Sequence, residues 1–169
     1  MTVSLFTFVD MFSRVLGTAD HLLTTGAGYA ESLGESGEDV LDWRLIDDMH
    51  PLRFQIIVVC TFAQQWPARV AGLPVPEIAS DQRDVAGLKT ALAQARAYLE
   101  TLTADQFEGR DDIPITYRIG PGMEPTLPAG QWLTVFATTN LYFHLSAAYA
   151  ILRAKGVPLG KVDLFASGL

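Results

Sequence analysis

From Pro125 to Leu152 the chain carries no Asp, Glu, Lys or Arg, yet it sets Asn140 and His144 four residues apart within that stretch. An uncharged segment of this length either crosses a bilayer or forms the interior helix of a bundle. Gln131, Asn140 and His144 are costly in hydrocarbon, and Thr134, Thr138, Thr139 and Ser146 dilute the apolar character further. The interior helix is therefore the expectation, running from about Gly130 to Ala154. Leu133, Ala137, Asn140, His144, Ala147 and Ile151 fall on one stripe of it, and Phe136, Phe143 and Ala150 on a second. Residues four apart share a helix face, and a polar group buried without a partner costs about 1–3 kcal/mol. Something must satisfy Asn140 and His144.

Three further helices follow from periodicity. Between Val3 and Leu33, the series Phe8, Phe12, Val15, Ala19, Leu22, Gly26, Tyr29, Leu33 advances by fours and threes. Pro51 opens a second helix, where a missing N–H costs nothing, and Leu52, Ile56, Val59, Ala63, Trp66 and Val70 repeat the stripe. Pro67 is expected to kink its last turns before Gly72-Leu-Pro74 ends it. A third helix, capped by Ser80 or Asp81, carries the seam Val85, Leu88, Leu92, Ala95, Leu99, Leu102. Alternation through Ile113, Ile115, Tyr117 and Ile119, a turn at Gly120-Pro-Gly122 and a return from Met123 to Leu127 predict a small β-hairpin before the last helix. The reading is all-α: one four-helix bundle domain over residues 1–169, with a hairpin in its third connection.

Composition excludes several functions. A formal net charge of −7 and a pI near 4.8 set the surface against phosphate backbones, so no nucleic-acid partner is expected. The single cysteine, Cys60, rules out an intramolecular disulfide and any multi-cysteine metal site, and it lies in the apolar run Gln55-Ile-Ile-Val-Val-Cys60, where burial suppresses thiolate. The amino end lacks a basic region ahead of its apolar residues, so a cytoplasmic location is expected. Gly120-Pro-Gly122 lacks the strand-to-helix setting of a phosphate loop, and Gly156-Val-Pro-Leu-Gly160-Lys161 is too short for one. The aromatic content leaves room for an apolar patch that a partner subunit would cover.

Chemistry is thus confined to few residues. Asn140 and His144 could present ligands to a divalent metal such as zinc or nickel, with imidazole the strong donor and the amide oxygen a weak one. Two donors are too few, and the second helix offers Gln55, one turn inside its start, or His50 just before Pro51. The competing reading is a closed hydrogen-bond network that fixes helix register with no metal. His21 beside Asp20 reads as a partly exposed side chain, Asp111 and Asp112 as a solvated turn, and Cys60 as packing. Tyr142, Tyr149, Trp66 and Trp132 are candidates for lining a pocket near His144, although aromatics at helical spacing are more often core.

Asn140-Leu-Tyr-Phe-His144, followed by Ala150-Ile-Leu-Arg153-Ala-Lys-Gly156, resembles the last helix of the DinB/YfiT-like superfamily, in which an HxxxH pair precedes a Leu-Arg and a Gly. Asp48-Met-His-Pro51-Leu-Arg-Phe-Gln55, Arg69-Val-Ala-Gly72 and Phe143-His-Leu-Ser-Ala-Ala-Tyr149 are similar to one branch of it, known as a domain of unknown function; the similarity runs from Ser4 to Asp163. The resemblance implies an up-down-down-up bundle, a homodimer and, in better-studied relatives, a divalent metal on three histidines serving thiol-dependent transferase or hydrolase chemistry. Here Asn140 stands in place of the first histidine and Gln55 lies near the helix-two ligand position, so His144 is the one imidazole retained. That leaves two functions to separate: a metal-free polar site of Asn140, His144 and Gln55 or His50 that opens on a pocket and takes a small ligand, or a metal-dependent enzyme anchored by His144. The same order is expected to make 34–48 and 109–130 the crossover connections.

Overall fold

A computed structural model describes residues 3–77 and 84–168. Four helices form the body: α1 (Thr7–Ser32), α2 (Leu52–Ala71), α3 (Val85–Glu100) and α4, spanning 129–154. The hairpin is present as β1 (Pro114–Thr116) and β2 (Thr126–Pro128), antiparallel with Ile115 opposite Leu127, and Gly122 supplies the positive φ of 70° at its turn. Among the described residues, no helix is long and apolar enough to cross a membrane.

Local chemistry sets the helix ends. Gly72 adopts a left-handed conformation (φ 72°) and ends α2, with Leu73 N donating to Ala68 O at 2.9 Å. Asp84 caps α3 by accepting from Gly87 N at 2.7 Å; the expected caps Ser80 and Asp81 lie outside the described residues. Glu38 reinforces that end by accepting from Val85 N at 2.9 Å. Pro67 is buried within α2, and the helix continues through it to Ala71.

Contacts at the helix ends fix the topology. The start of α3 meets Glu38, just beyond α1, while Phe107, just beyond α3, packs on Phe6 at the start of α1 with ring centroids 5.8 Å apart; these two helices are antiparallel. Arg110, also beyond α3, donates to Val70 O near the end of α2 at 2.8 Å, so α2 and α3 are parallel. The first turn of α4 joins that same end of the bundle through Gly130 N and Asp111 O, 2.9 Å apart. Beyond its last turn, Gly156 lies against Tyr29 near the end of α1. The order is up-down-down-up.

One expectation is corrected by that geometry. The connections 34–48 and 109–130 each join antiparallel helices and need no crossover. The consecutive pair that runs parallel is α2 and α3, so the return along the bundle falls between Ala71 and Val85.

The core is one continuous cluster, including Phe12, Leu16, Leu22, Leu23, Ile56, Val59, Leu88, Leu92, Leu133, Leu141 and Ile151. Gly26 lets α1 and α4 approach closely, since a Cβ there would stand 2.6 Å from Leu152 Cδ2. After α4 the chain turns back along α1 through a 3-10 turn, Lys161–Phe165. Gly17 makes room for it: any Cβ at that position would collide with Ser167.

α4 departs from the regular helix that its stripe predicts. Between the opening turn Ala129–Gln131 and the α-helical Thr138–Ala154 lies a π turn, Trp132–Ala137. The hydroxyl of Thr138 donates to Leu133 O, five residues back, at 2.9 Å, and that of Thr134 to Gly130 O at 2.8 Å. A π turn inserts one residue, which advances every later position by one on the helix face. The fully buried residues after it are accordingly Leu141, Ala148, Ile151 and Leu152, with Leu145 at 2% exposure. Asn140 and His144 move from the expected centre of the buried face to its flanks, both half-buried.

Candidate functional site

His144 meets α2 at its first turn. Its Nδ1 lies 2.7 Å from Oε1 of Gln55, whose own Nε2 donates to the backbone carbonyl of His50 at 2.9 Å. Gln55 is 3% exposed, so these bonds are its means of satisfaction. A carbonyl can only accept, which obliges the amide NH2 to face His50 and the amide oxygen to face His144. His144 must therefore carry its proton on Nδ1, and in the neutral ring the lone pair resides on Nε2.

Aromatic rings frame this imidazole. His50 is exposed and stacks on Phe54 with centroids 3.9 Å apart; Phe54 meets His144 edge-on at 6.0 Å, and Phe143, 60% exposed, does so at 5.1 Å. Burial holds the His144 pKa below its ordinary 6.5, and the nearby His50 lowers it further. At neutral pH the ring is uncharged and Nε2 is a hydrogen-bond acceptor.

The depressed pKa has a stability consequence of defined sign. The unfolded chain binds a proton at this histidine more readily than the folded one, so the contribution is complete above about pH 6.5 and is lost as pH falls through the lower folded value. We expect the melting temperature to decline on acidification from pH 7 toward pH 5, with an NMR titration placing His144 below 6.5. His50→Gln should shift that titration upward; an unshifted curve would show that His50 exerts no field there.

The sequence-derived candidates separate into two places. Gln55 and His50, between which the sequence leaves the choice open, both take part: Gln55 through its side chain, His50 through its carbonyl and its ring stack. Asn140 does not join them. Its Nδ2 donates to Phe136 O at 2.8 Å, and it lines a shallow recess with Leu127, Gln131, Val135, Phe136 and Thr139 beside the hairpin. The carboxamide next to His144 is that of Gln55, because the π turn rotated Asn140 toward the hairpin.

A cavity of about 420 Å³ lies between α1 and α4, lined by Tyr142 and Leu145 of α4, and neither His144, Gln55 nor His50 lines it. Trp66 and Trp132 are not near the histidine: they stack at 4.9 Å in the core toward the hairpin end, with Arg69 over the Trp66 and Tyr117 rings. Cys60 is buried and its thiol pKa is pushed up to about 12 by desolvation, so it remains a protonated packing residue. His21 pairs with Asp163 at 2.8 Å, a partnership across 142 positions that no local spacing signals.

A three-histidine metal centre does not fit these residues. Among the described residues, no three or more His, Cys, Asp or Glu side chains come together in a way that could hold an ion. The Gln55 oxygen beside His144 is already engaged with Nδ1.

Comparison with known proteins agrees with the architecture. A crystal structure of a DinB family member from Shewanella denitrificans is similar at a TM-score of 0.87 and 28% identity, over 95% of this chain and 90% of that one. No curated protein matches. The family model described as a domain of unknown function, DUF1993, matches residues 6–165. Nearly the whole chain is covered, and the protein, a DinB-like helical bundle, belongs to the DUF1993 family.

Proposed function

We propose that the His144–Gln55–His50 cluster is a metal-free binding site for a small molecule, in which neutral His144 accepts a hydrogen bond at Nε2. The observation that carries this reading is the 2.7 Å bond between Gln55 Oε1 and His144 Nδ1, with the amide direction set by the His50 carbonyl. It fixes the tautomer and ring orientation before any ligand arrives, which lowers the entropic cost of binding. The rings of His50, Phe54 and Phe143 give a partly apolar rim suited to a small molecule carrying a hydrogen-bond donor. The proposal includes a cytoplasmic homodimer, for which the exposed Val135, Tyr142 and Phe143 of α4 offer an apolar face.

The second reading is a metal-dependent enzyme, with zinc or nickel on His144 serving a thiol-dependent transferase or hydrolase reaction. One feature favours it: metal-binding histidines commonly donate their other N–H to an oxygen, as His144 does to Gln55. Elemental analysis of protein purified without an affinity tag, beside His144→Ala, separates the two. We expect both proteins to be free of stoichiometric zinc and nickel, with the variant melting lower because Gln55 loses a partner. Near-stoichiometric metal that vanishes in His144→Ala would overturn the metal-free site and favour the enzyme reading.

A further inference from the structure

The 420 Å³ cavity lies within the size range of small-ligand sites, roughly 300–1,000 Å³. Met11 and Val15 of α1 and Leu145 of α4 form its apolar walls, and Leu164 and Phe165 close one side from the 3-10 turn. That wall is tethered to the bundle. Asp163 holds His21 at 2.8 Å and accepts from Gly160 N at 2.6 Å, and Thr18 Oγ1 donates to Leu164 O at 3.5 Å. Gly17, in the middle of a helix where glycine costs about 1 kcal/mol relative to alanine, is what allows Ser167 to seat on α1.

The polar groups of the lining restrict what could enter. Its formal charges, Asp10 and Arg14, are paired with each other at 2.9 Å. The other polar side chains are hydroxyls, among them those of Thr18 and Ser146. That pair is solvent-exposed, with side chains 68% and 42% exposed, so an ionised group carried past it onto the Met11, Val15 and Leu145 walls would be desolvated away from any charge, whereas a hydroxyl or amide could bond to the hydroxyls. We propose that this cavity is a second site, separate from the His144 cluster, for an uncharged small molecule with an apolar body and one hydrogen-bonding group.

The test is a titration of the full chain with 2-naphthol, with 2-naphthoate as the matched anion, followed by methyl NMR. Saturable shifts at Met11, Leu145 and Leu164 are expected for 2-naphthol, with the anion weaker by about tenfold or more. Ser146→Trp, which fills the cavity from an exposed position, should weaken 2-naphthol by a similar factor, and Thr7→Trp on α1 is the alternative fill if the first fails to fold. His144→Ala should leave the affinity within about twofold, as expected of independent sites. The proposal is overturned by absent or non-saturable shifts, by equal affinity for the anion, or by folded filling variants that bind as before. It is also overturned if Ser146→Trp abolishes self-association while sparing 2-naphthol binding, which would make this face an interface between copies.

Discussion

Trp132→Ala is expected to be among the most damaging single substitutions in the chain, lowering stability by about 3–5 kcal/mol. The side chain is fully buried, stacks on Trp66 at 4.9 Å and meets Tyr117 and Phe136 edge-on at 6.0 and 5.0 Å. Its indole N–H donates to Ile115 O at 2.8 Å, which ties β1 to the π turn of α4. Truncation would leave a cavity, an unpaired carbonyl and a hairpin without its anchor. For a chain of this size the loss corresponds to roughly 6–20 °C in melting temperature, measurable by circular dichroism. Trp132→Phe should recover much of the packing but not the Ile115 bond. A Trp132→Ala protein that melts within a few degrees of the parent would show that the aromatic cluster is not part of the cooperative core.

Gln55→Ala is expected to cost about 2–4 kcal/mol, from a small cavity together with the loss of both bonds made by a nearly fully buried amide. The isosteric variants carry more information than truncation does. Gln55→Leu keeps the volume and removes the acceptor for His144 Nδ1, so the ring loses its fixed tautomer and orientation. Gln55→Glu places a carboxylate against that same N–H and gives up the donor to the His50 carbonyl. The carboxylate favours imidazolium, so the His144 titration should move upward in Gln55→Glu, against the direction set by burial. If neither variant changed the ring's titration or its tautomer-sensitive nitrogen shifts, the Gln55–His144 bond would not be the organising contact of the site.

The separation between what could be read early and what could not falls at particular residues. The 4-3 stripe of α2 is buried throughout, and those of α1 and α3 are buried except toward their ends, where Leu33 is exposed and Phe8, Tyr29 and Val85 are half-buried; these helices are regular, so sequence spacing maps directly onto angle around the axis. The hairpin was legible from alternation and a Gly-Pro-Gly turn, and β1 pairs with β2 as that pattern requires. In α4 the same arithmetic holds up to Ala137 and then slips by one residue, because the π turn changes the angle per residue that the arithmetic assumes. A warning was present in the sequence: an unbroken helix would have turned Asn140 and His144 fully inward together, and the hydroxyls of Thr134 and Thr138 offered a way to relieve it.

The order of the helices along the chain, the buried faces of the three regular ones and the shortage of metal donors are properties of composition and periodicity, since each depends on residue type and near-neighbour spacing. The partner of His144, the direction of the Gln55 amide, the placing of the one return connection and the cavity closed by Leu164 and Phe165 required the folded chain. Those depend on contacts between residues far apart in sequence, such as Gln55 with His144 and His21 with Asp163, and on a single inserted residue in one helical turn. Side-chain bonds of this kind act over about 3 Å, and only the assembled bundle brings such distant positions within that reach.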